Sequence, residues 1–245
     1  MEYLLTGKKE ACMLKCNRSL WCIFGFGLIA IFLMANNLFG GEPVSWTGWH
    51  AGAFGSYVSG KLNSDDPTHA ESTKDYKDDM PMIGIGGGYT LEYDNGWVAG
   101  GEVLIPLYMK KGTATDRKYY PDSVFYEASY RFGVLLVIKG GRNLGKALPY
   151  AFGTLGFISV DGKTINVDEN DLYVEGAVQS AAATHFVWQL GAGMDYQVSE
   201  VVFLGIRIGA FVAARADHTM PWNEPGPNNF GYNAFLLQIN GGYRF

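Results

Sequence analysis

From Trp46 onward, apolar residues recur at every second position, the period of a β-strand with two different faces. What lies between them narrows the fold. In 231–245, Phe235, Leu237, Ile239, Tyr243 and Phe245 share one face, opposite Gln238, Asn240, Gly242 and Arg244. Residues 185–196 set Phe186, Trp188, Leu190, Ala192, Met194 and Tyr196 against His185, Val187, Gln189, Gly191, Gly193 and Asp195. In 201–213, Val202, Leu204, Ile206, Ile208 and Val212 oppose Gly205, Arg207 and Gly209. In 97–107, Trp97, Ala99, Val103 and Ile105 oppose Gly100 and Glu102, and in 82–93 Ile83, Ile85, Tyr89, Leu91 and Tyr93 oppose Gly84, Gly86, Gly88, Thr90 and Glu92. Residues 124–138 put Val124, Tyr126, Tyr130, Phe132, Val134 and Leu136 opposite Glu127, Ser129 and Arg131. A soluble β-sandwich would fill its second face with Lys, Thr and Glu and turn it to water. Here that face is glycine with isolated charges and amides, which suits a crowded interior, while the large apolar face meets something non-aqueous. The pattern predicts an all-β chain closed as an antiparallel transmembrane barrel. A soluble ligand-binding barrel is the competing reading.

Eight strands are expected, near 46–61, 82–93, 97–107, 123–138, 148–161, 184–197, 201–214 and 231–245. The connections between them alternate. Segments 62–81, 108–122, 162–183 and 215–230 are long, whereas Asp94-Asn95-Gly96 and Val198-Ser199-Glu200 are short and 139–147 is intermediate. Asn-Gly is a strong hairpin signal. This alternation places every long loop at one end, as when short periplasmic turns and long outer loops lie on opposite sides of a membrane. Strands near 46–61 and 148–161 alternate poorly, so their faces are not assigned.

Residues 1–41 have a different character. Lys8, Lys9, Lys15 and Arg18 precede an apolar run from Leu20 to Met34, the layout of a secretory signal and short for a membrane-spanning helix. The expected division is a signal peptide over 1–41, with an uncertain cleavage site, and a barrel over 42–245. A retained anchor is the alternative. Cleavage there would remove four bases and two acids, taking the formal net charge from −5 to −7. An acidic chain argues against a nucleic-acid partner. All three cysteines (Cys12, Cys16, Cys22) fall in the first segment, which leaves the remainder without a disulfide framework or a cysteine-ligated metal.

Chemistry-bearing motifs are scarce. His50, His69, His185 and His218 have no metal-ligand spacing, and no G-x-S-x-G elbow occurs. Glycines 84, 86, 87 and 88 sit in an alternating strand with no helix after them, so they read as close packing rather than a phosphate loop. His185 with Asp195 or Glu127 could imitate a hydrolytic pair, though a rim histidine is the plainer reading. Asp65-Asp66 and Asp75 to Asp79 form an acidic stretch without the fixed spacing of a calcium loop. The chain is therefore expected to be no enzyme and to hold no metal or cofactor.

Several segments resemble the Omp25/opacity-type (OmpA-like) eight-stranded outer-membrane β-barrel family. Trp46-Thr47-Gly48-Trp49-His50-Ala51-Gly52 is similar to its W-T-G-x-Y-x-G opening, with a second Trp at 49 as a departure. Gly87-Gly88-Tyr89 through Asn95-Gly96-Trp97-Val98-Ala99-Gly100-Gly101-Glu102 resembles its hairpin. Tyr130-Arg131-Phe132-Gly133, Leu148-Pro149-Tyr150-Ala151-Phe152-Gly153, Leu190-Gly191-Ala192-Gly193-Met194-Asp195-Tyr196 and Gly242-Tyr243-Arg244-Phe245 follow in the family's order. The resemblance implies a porin-family protein of the bacterial outer membrane, in contact with its lipid and lipopolysaccharide. It also implies that Tyr243 and Phe245 signal to the barrel-assembly machinery.

An eight-stranded barrel has an interior just wide enough for side chains to fill. The alternation places Glu92, Glu102, Glu127 and Asp195 inside with Arg131, Arg207 and Arg244, and near-cancelling charges suit mutual pairing. The expected function is a structural, envelope-anchoring barrel whose surface-displayed loops act as antigens and could meet a host or extracellular ligand. A narrow porin-like channel is the alternative, with a lipid-modifying enzyme behind it.

Overall fold

The computed structural model describes residues 44–65, 74–110, 112–116, 123–167, 173–218 and 228–245. The expected signal segment, His69 and the centres of the four long loops lie outside these residues. The strands are β1 (Gly48–Asp65), β2 (Lys74–Glu92), β3 (Trp97–Met109), β4 (Gly112–Asp116), β5 (Ser123–Arg142), β6 (Ala147–Val167), β7 (Tyr173–Gln197), β8 (Val202–His218) and β9 (Asn228–Arg244). All neighbours are antiparallel. The sheet closes through β1 on β9, from His50 opposite Arg244 to Asp65 opposite Asn229, and through β3 on β5, from Trp97 opposite Arg142 to Leu104 opposite Leu135. The short β4 continues the wall of β3 against β5, so nine segments build eight walls. Closure matters in hydrocarbon, where each unpaired N–H or C=O of an open edge would cost several kcal/mol.

The short turns form as the residues dictate. Tyr93 N donates to Trp97 O at 2.8 Å, Asn95 Oδ1 accepts from Trp97 N at 3.1 Å, and Gly96 takes the positive φ of 77° that the turn requires. The expected intermediate turn is shorter than the sequence suggested. Strand β5 runs on to Arg142, so Lys139, Gly140 and Gly141 belong to the barrel wall. The long connections also shrink. Segments 74–81, 162–167, 173–183, 215–218 and 228–230, expected in loops, extend the strands, and β4 lies inside the expected loop 108–122. Asp75 to Asp79 thus stand on β2 rather than in a loop.

The faces follow the alternation. Trp49, Ile83, Ile85, Tyr89, Leu91, Trp97, Val103, Ile105, Val134, Leu136, Ile138, Leu190, Leu204, Ile206, Leu237, Ile239 and Tyr243 are exposed on the outside. The two ambiguous strands resolve as well: β1 buries His50, Phe54, Ser56 and Val58, and β6 buries Leu148, Tyr150, Phe152 and Thr154. Their inward residues include large apolar ones, so the lumen is more apolar than the glycine-rich faces suggested. Phe54, Met82, Leu104, Leu135, Val137, Ile158, Val187, Phe211, Tyr232 and Leu236 pack into one core inside the barrel. Each such side chain adds about 1.5–3 kcal/mol of apolar burial.

Alternation breaks where the pairing shifts register: in β3, where Leu107 and Tyr108 are both exposed, and most consequentially in β5. The pairing of β5 with β6 shifts between Tyr130 and Phe132, leaving Arg131 as the extra residue of a bulge. A one-residue insertion reverses the phase on its far side. Tyr130 therefore turns inward and donates its hydroxyl to Pro106 O at 2.8 Å, while Arg131 and Phe132 are both exposed.

Candidate functional site

The lumen centre is built by one inward residue from each of several walls. Glu102 comes from β3, Lys139 from β5, Tyr150 from β6, Asp195 from β7 and Arg207 from β8. All are at most 5% exposed. Lys139 Nζ lies 2.6 Å from Glu102 Oε1 and 3.1 Å from Asp195 Oδ2, bridging the two carboxylates. Arg207 Nη2 donates to Glu102 Oε2, and Arg207 Nε donates to the Tyr150 hydroxyl at 2.9 Å. That hydroxyl donates in turn to Asp195 Oδ1 at 3.0 Å, to which Asn240 Nδ2 also donates at 3.3 Å. Both cations lie over the Tyr150 ring, Lys139 Nζ at 5.1 Å and Arg207 Cζ at 5.6 Å from its centre.

Two cations thus meet two carboxylates with no excess charge. Buried ions are tolerated only when paired and hydrogen-bonded, and here each has at least two partners. Glycine makes room for the arrangement. A Cβ at Gly205 would sit 2.2 Å from Asp195 Oδ1, and one at Gly193 would sit 2.6 Å from the Tyr150 ring. Beside the cluster His50 Nε2 lies 3.3 Å from Glu102 Oε1 but is not aligned for a hydrogen bond, and its ring meets Phe203 edge-on.

The structure brings Glu102, Asp195 and Arg207 together and distributes the other expected lumen charges elsewhere. Glu92 and Arg244 stand at the short-turn mouth. Glu92 Oε2 accepts from Trp46 N at 2.8 Å, while Arg244 Nη1 donates to Gln197 Oε1 at 3.2 Å. Glu127 was expected in the lumen, but it lies beyond the bulge on the phase opposite the inward Tyr130; it is half-buried, with Ser129 Oγ 3.4 Å from its Oε1. Arg131 is not in the lumen. The bulge turns it outward, where its Nε lies 2.5 Å from Asp161 Oδ2 with more than half of its side chain exposed. Lys139, Tyr150 and His50 were not singled out from the sequence. Lys139 was masked by the turn-like composition of Lys-Gly-Gly-Arg-Asn, though alternation continued through Gly133, Leu135 and Val137 points to it.

Other expected features take definite places. His185 is buried and its Nδ1 lies 3.0 Å from Ala214 O. It stands ten residues along β7 from Asp195, about 30 Å at strand rise, so these two do not form a hydrolytic pair. Among the described residues no group of three His, Cys, Asp or Glu is arranged to hold a metal. Tyr243 and Phe245 are exposed on the outer face with ring centres 5.2 Å apart.

The closed barrel with its apolar exterior agrees with the family whose model matches the sequence. The outer membrane protein beta-barrel domain aligns with residues 44–245. The chain belongs to that family. This outer-membrane barrel accordingly resides in the bacterial outer membrane, with its apolar exterior in lipid. Among solved structures it is similar to the outer membrane protein OprG from Pseudomonas aeruginosa, at 15% identity and TM-score 0.46, over 83% of this chain and 98% of that one. It is also similar to Ail, the attachment invasion locus protein of Yersinia pestis, at 12% identity and TM-score 0.39, over 81% and 99%. Neisserial surface protein A follows at 11% identity and TM-score 0.35, over 79% and 97%. Comparison with curated proteins finds no match.

Proposed function

We infer that this outer-membrane barrel is a sealed envelope anchor of the Omp25/opacity type, which displays its long loops at the cell surface and performs no catalysis. The observation that carries the reading is the neutral ion cluster at the lumen centre, where Lys139 and Arg207 are both spent on Glu102 and Asp195. A conducting path of one sign needs unpaired charge, and a hydrolytic site needs an activated nucleophile beside a base. Neither is supplied by these pairs. Lipid and lipopolysaccharide are the partners of the outer face, and the barrel-assembly machinery reads Tyr243 and Phe245 during insertion. A host or extracellular ligand would be met by the loops, in adhesion or immune contact.

Deletion tests this role. Cells lacking the protein should become sensitive to detergent with chelator and lose surface binding. A barrel with shortened loops should restore the first property and not the second. A deletion strain with unchanged envelope resistance and unchanged surface binding would contradict the reading.

A further inference from the structure

The short-turn mouth is crossed by residues 44–47, which precede β1 and belong to no strand. The sequence placed Trp46 at the start of the first strand, but its ring turns into the barrel and is 3% exposed. Trp46 Nε1 donates to Gly145 O at 3.0 Å, in the turn between β5 and β6. Asn143 of the same turn donates through Nδ2 to Val44 O at 2.7 Å and to Glu92 Oε1 at 2.6 Å. From the other side Arg244 Nη2 donates to Ser45 O at 2.7 Å and Thr47 O at 3.2 Å, and its guanidinium lies 5.2 Å from the Trp46 ring centre. In the closed wall β1 and the β5–β6 turn face each other across the ring, since several strands separate them in either direction. The segment therefore spans the full diameter of the mouth.

Behind it lies a cavity of about 30 Å³ lined by His50, Glu102, Phe203, Arg207, Gln238 and Asn240. Space of that size holds about one water. Three polar atoms on its walls (His50 Nε2, Gln238 Nε2 and Asn240 Oδ1) have no protein hydrogen-bond partner, and each residue is at least nine-tenths buried. The cavity thus sets three unpartnered polar atoms among apolar walls that include Phe54 and Leu104, and a single water can meet those atoms. Across the mouth at this end runs a strap held by side-chain hydrogen bonds rather than by a strand ladder. Such ties open at lower free energy than ladder-bonded wall.

We propose that residues 44–47 form a lid on the short-turn mouth, whose release admits water and small polar solutes to the lower lumen. The lid concerns this mouth alone and stands whatever the long loops bind. Asn143 is its hinge-side anchor, since it holds both the strap and Glu92.

Thiol accessibility tests the lid in outer-membrane fragments from cells expressing the full chain. Gln238→Cys places a reporter on the cavity wall, and the protein without it supplies the background from Cys12, Cys16 and Cys22. With the strap intact, a cationic, membrane-impermeant methanethiosulfonate reagent should modify this cysteine slowly. Trp46→Ala and Asn143→Ala should each raise the rate on the order of tenfold or more, as expected when a local opening loses its ties. Arg131→Ala, at the opposite end, should leave the rate unchanged. Folding is followed by heat-modifiable gel migration. If Trp46→Ala does not fold, Asn143→Ala decides, because it removes the ties to Val44 and Glu92 without emptying the apolar core. Rapid labelling with the strap intact, or folded variants in which the cysteine stays protected, would overturn the lid.

Discussion

Arg207→Ala is expected to destabilise the folded barrel by about 3–5 kcal/mol, the range for removing one partner of a buried ion pair. Arg207 is 2% exposed, and its guanidinium serves both Glu102 and the Tyr150 hydroxyl. Removing it leaves two carboxylates facing Lys139 alone. A paired change separates charge stranding from lost packing. Arg207→Met with Glu102→Gln removes one charge of each sign and keeps Lys139 on Asp195, which lie 3.1 Å apart. The double variant should cost less than the two single ones summed, with a coupling of about 0.5–3 kcal/mol for residues in one network. Urea unfolding of protein in phospholipid vesicles measures each term. If Arg207→Ala fell within about 0.5 kcal/mol of the native barrel, as for an ordinary surface change, the cluster would not hold the lumen together.

The exterior carries the second large effect. Leu237 points outward on β9, between Tyr57 of β1 and Ile208 of β8. It lies well inside the band that Tyr243 bounds at the short-turn end. Leu237→Arg is expected to cost about 2–4 kcal/mol in a bilayer, while Tyr243→Arg, near the interface, should cost about 0–1 kcal/mol. The difference depends on depth, so the same vesicle unfolding experiment reads it directly. Equal costs at the two positions would contradict the membrane placement of β9.

The outer face was legible because lipid demands it at every second residue, and no local feature competes in Phe235, Leu237 and Ile239. Glu102, Asp195 and Arg207 were legible for the converse reason: where alternation is unbroken, a single charge opposite an apolar face turns inward. Lys139 was hidden by turn-like neighbours, since two glycines and an asparagine mark a turn and a close-packed strand end equally well. Tyr150 escaped because β6 carries apolar residues on both faces, Tyr150 and Phe152 inside and Leu155 and Phe157 outside. Arg131 was misplaced by one residue of bulge, which periodicity does not register until pairing is known. The strap was invisible for another reason. Its bonds join Trp46 to Gly145, 99 residues away, and alternation carries no information on such contacts.

The closed lumen is the central claim, and ion conductance through the native barrel in planar bilayers tests it most directly. Lys139 and Arg207 neutralise Glu102 and Asp195, while Phe54, Leu135, Phe211 and Leu236 fill the space beyond them. An interior of eight walls leaves no room for a water column beside such side chains. The expected record is a flat baseline without stable unit steps. Steady, ion-selective steps from the native protein, with a selectivity that Glu102→Gln alters, would contradict the account.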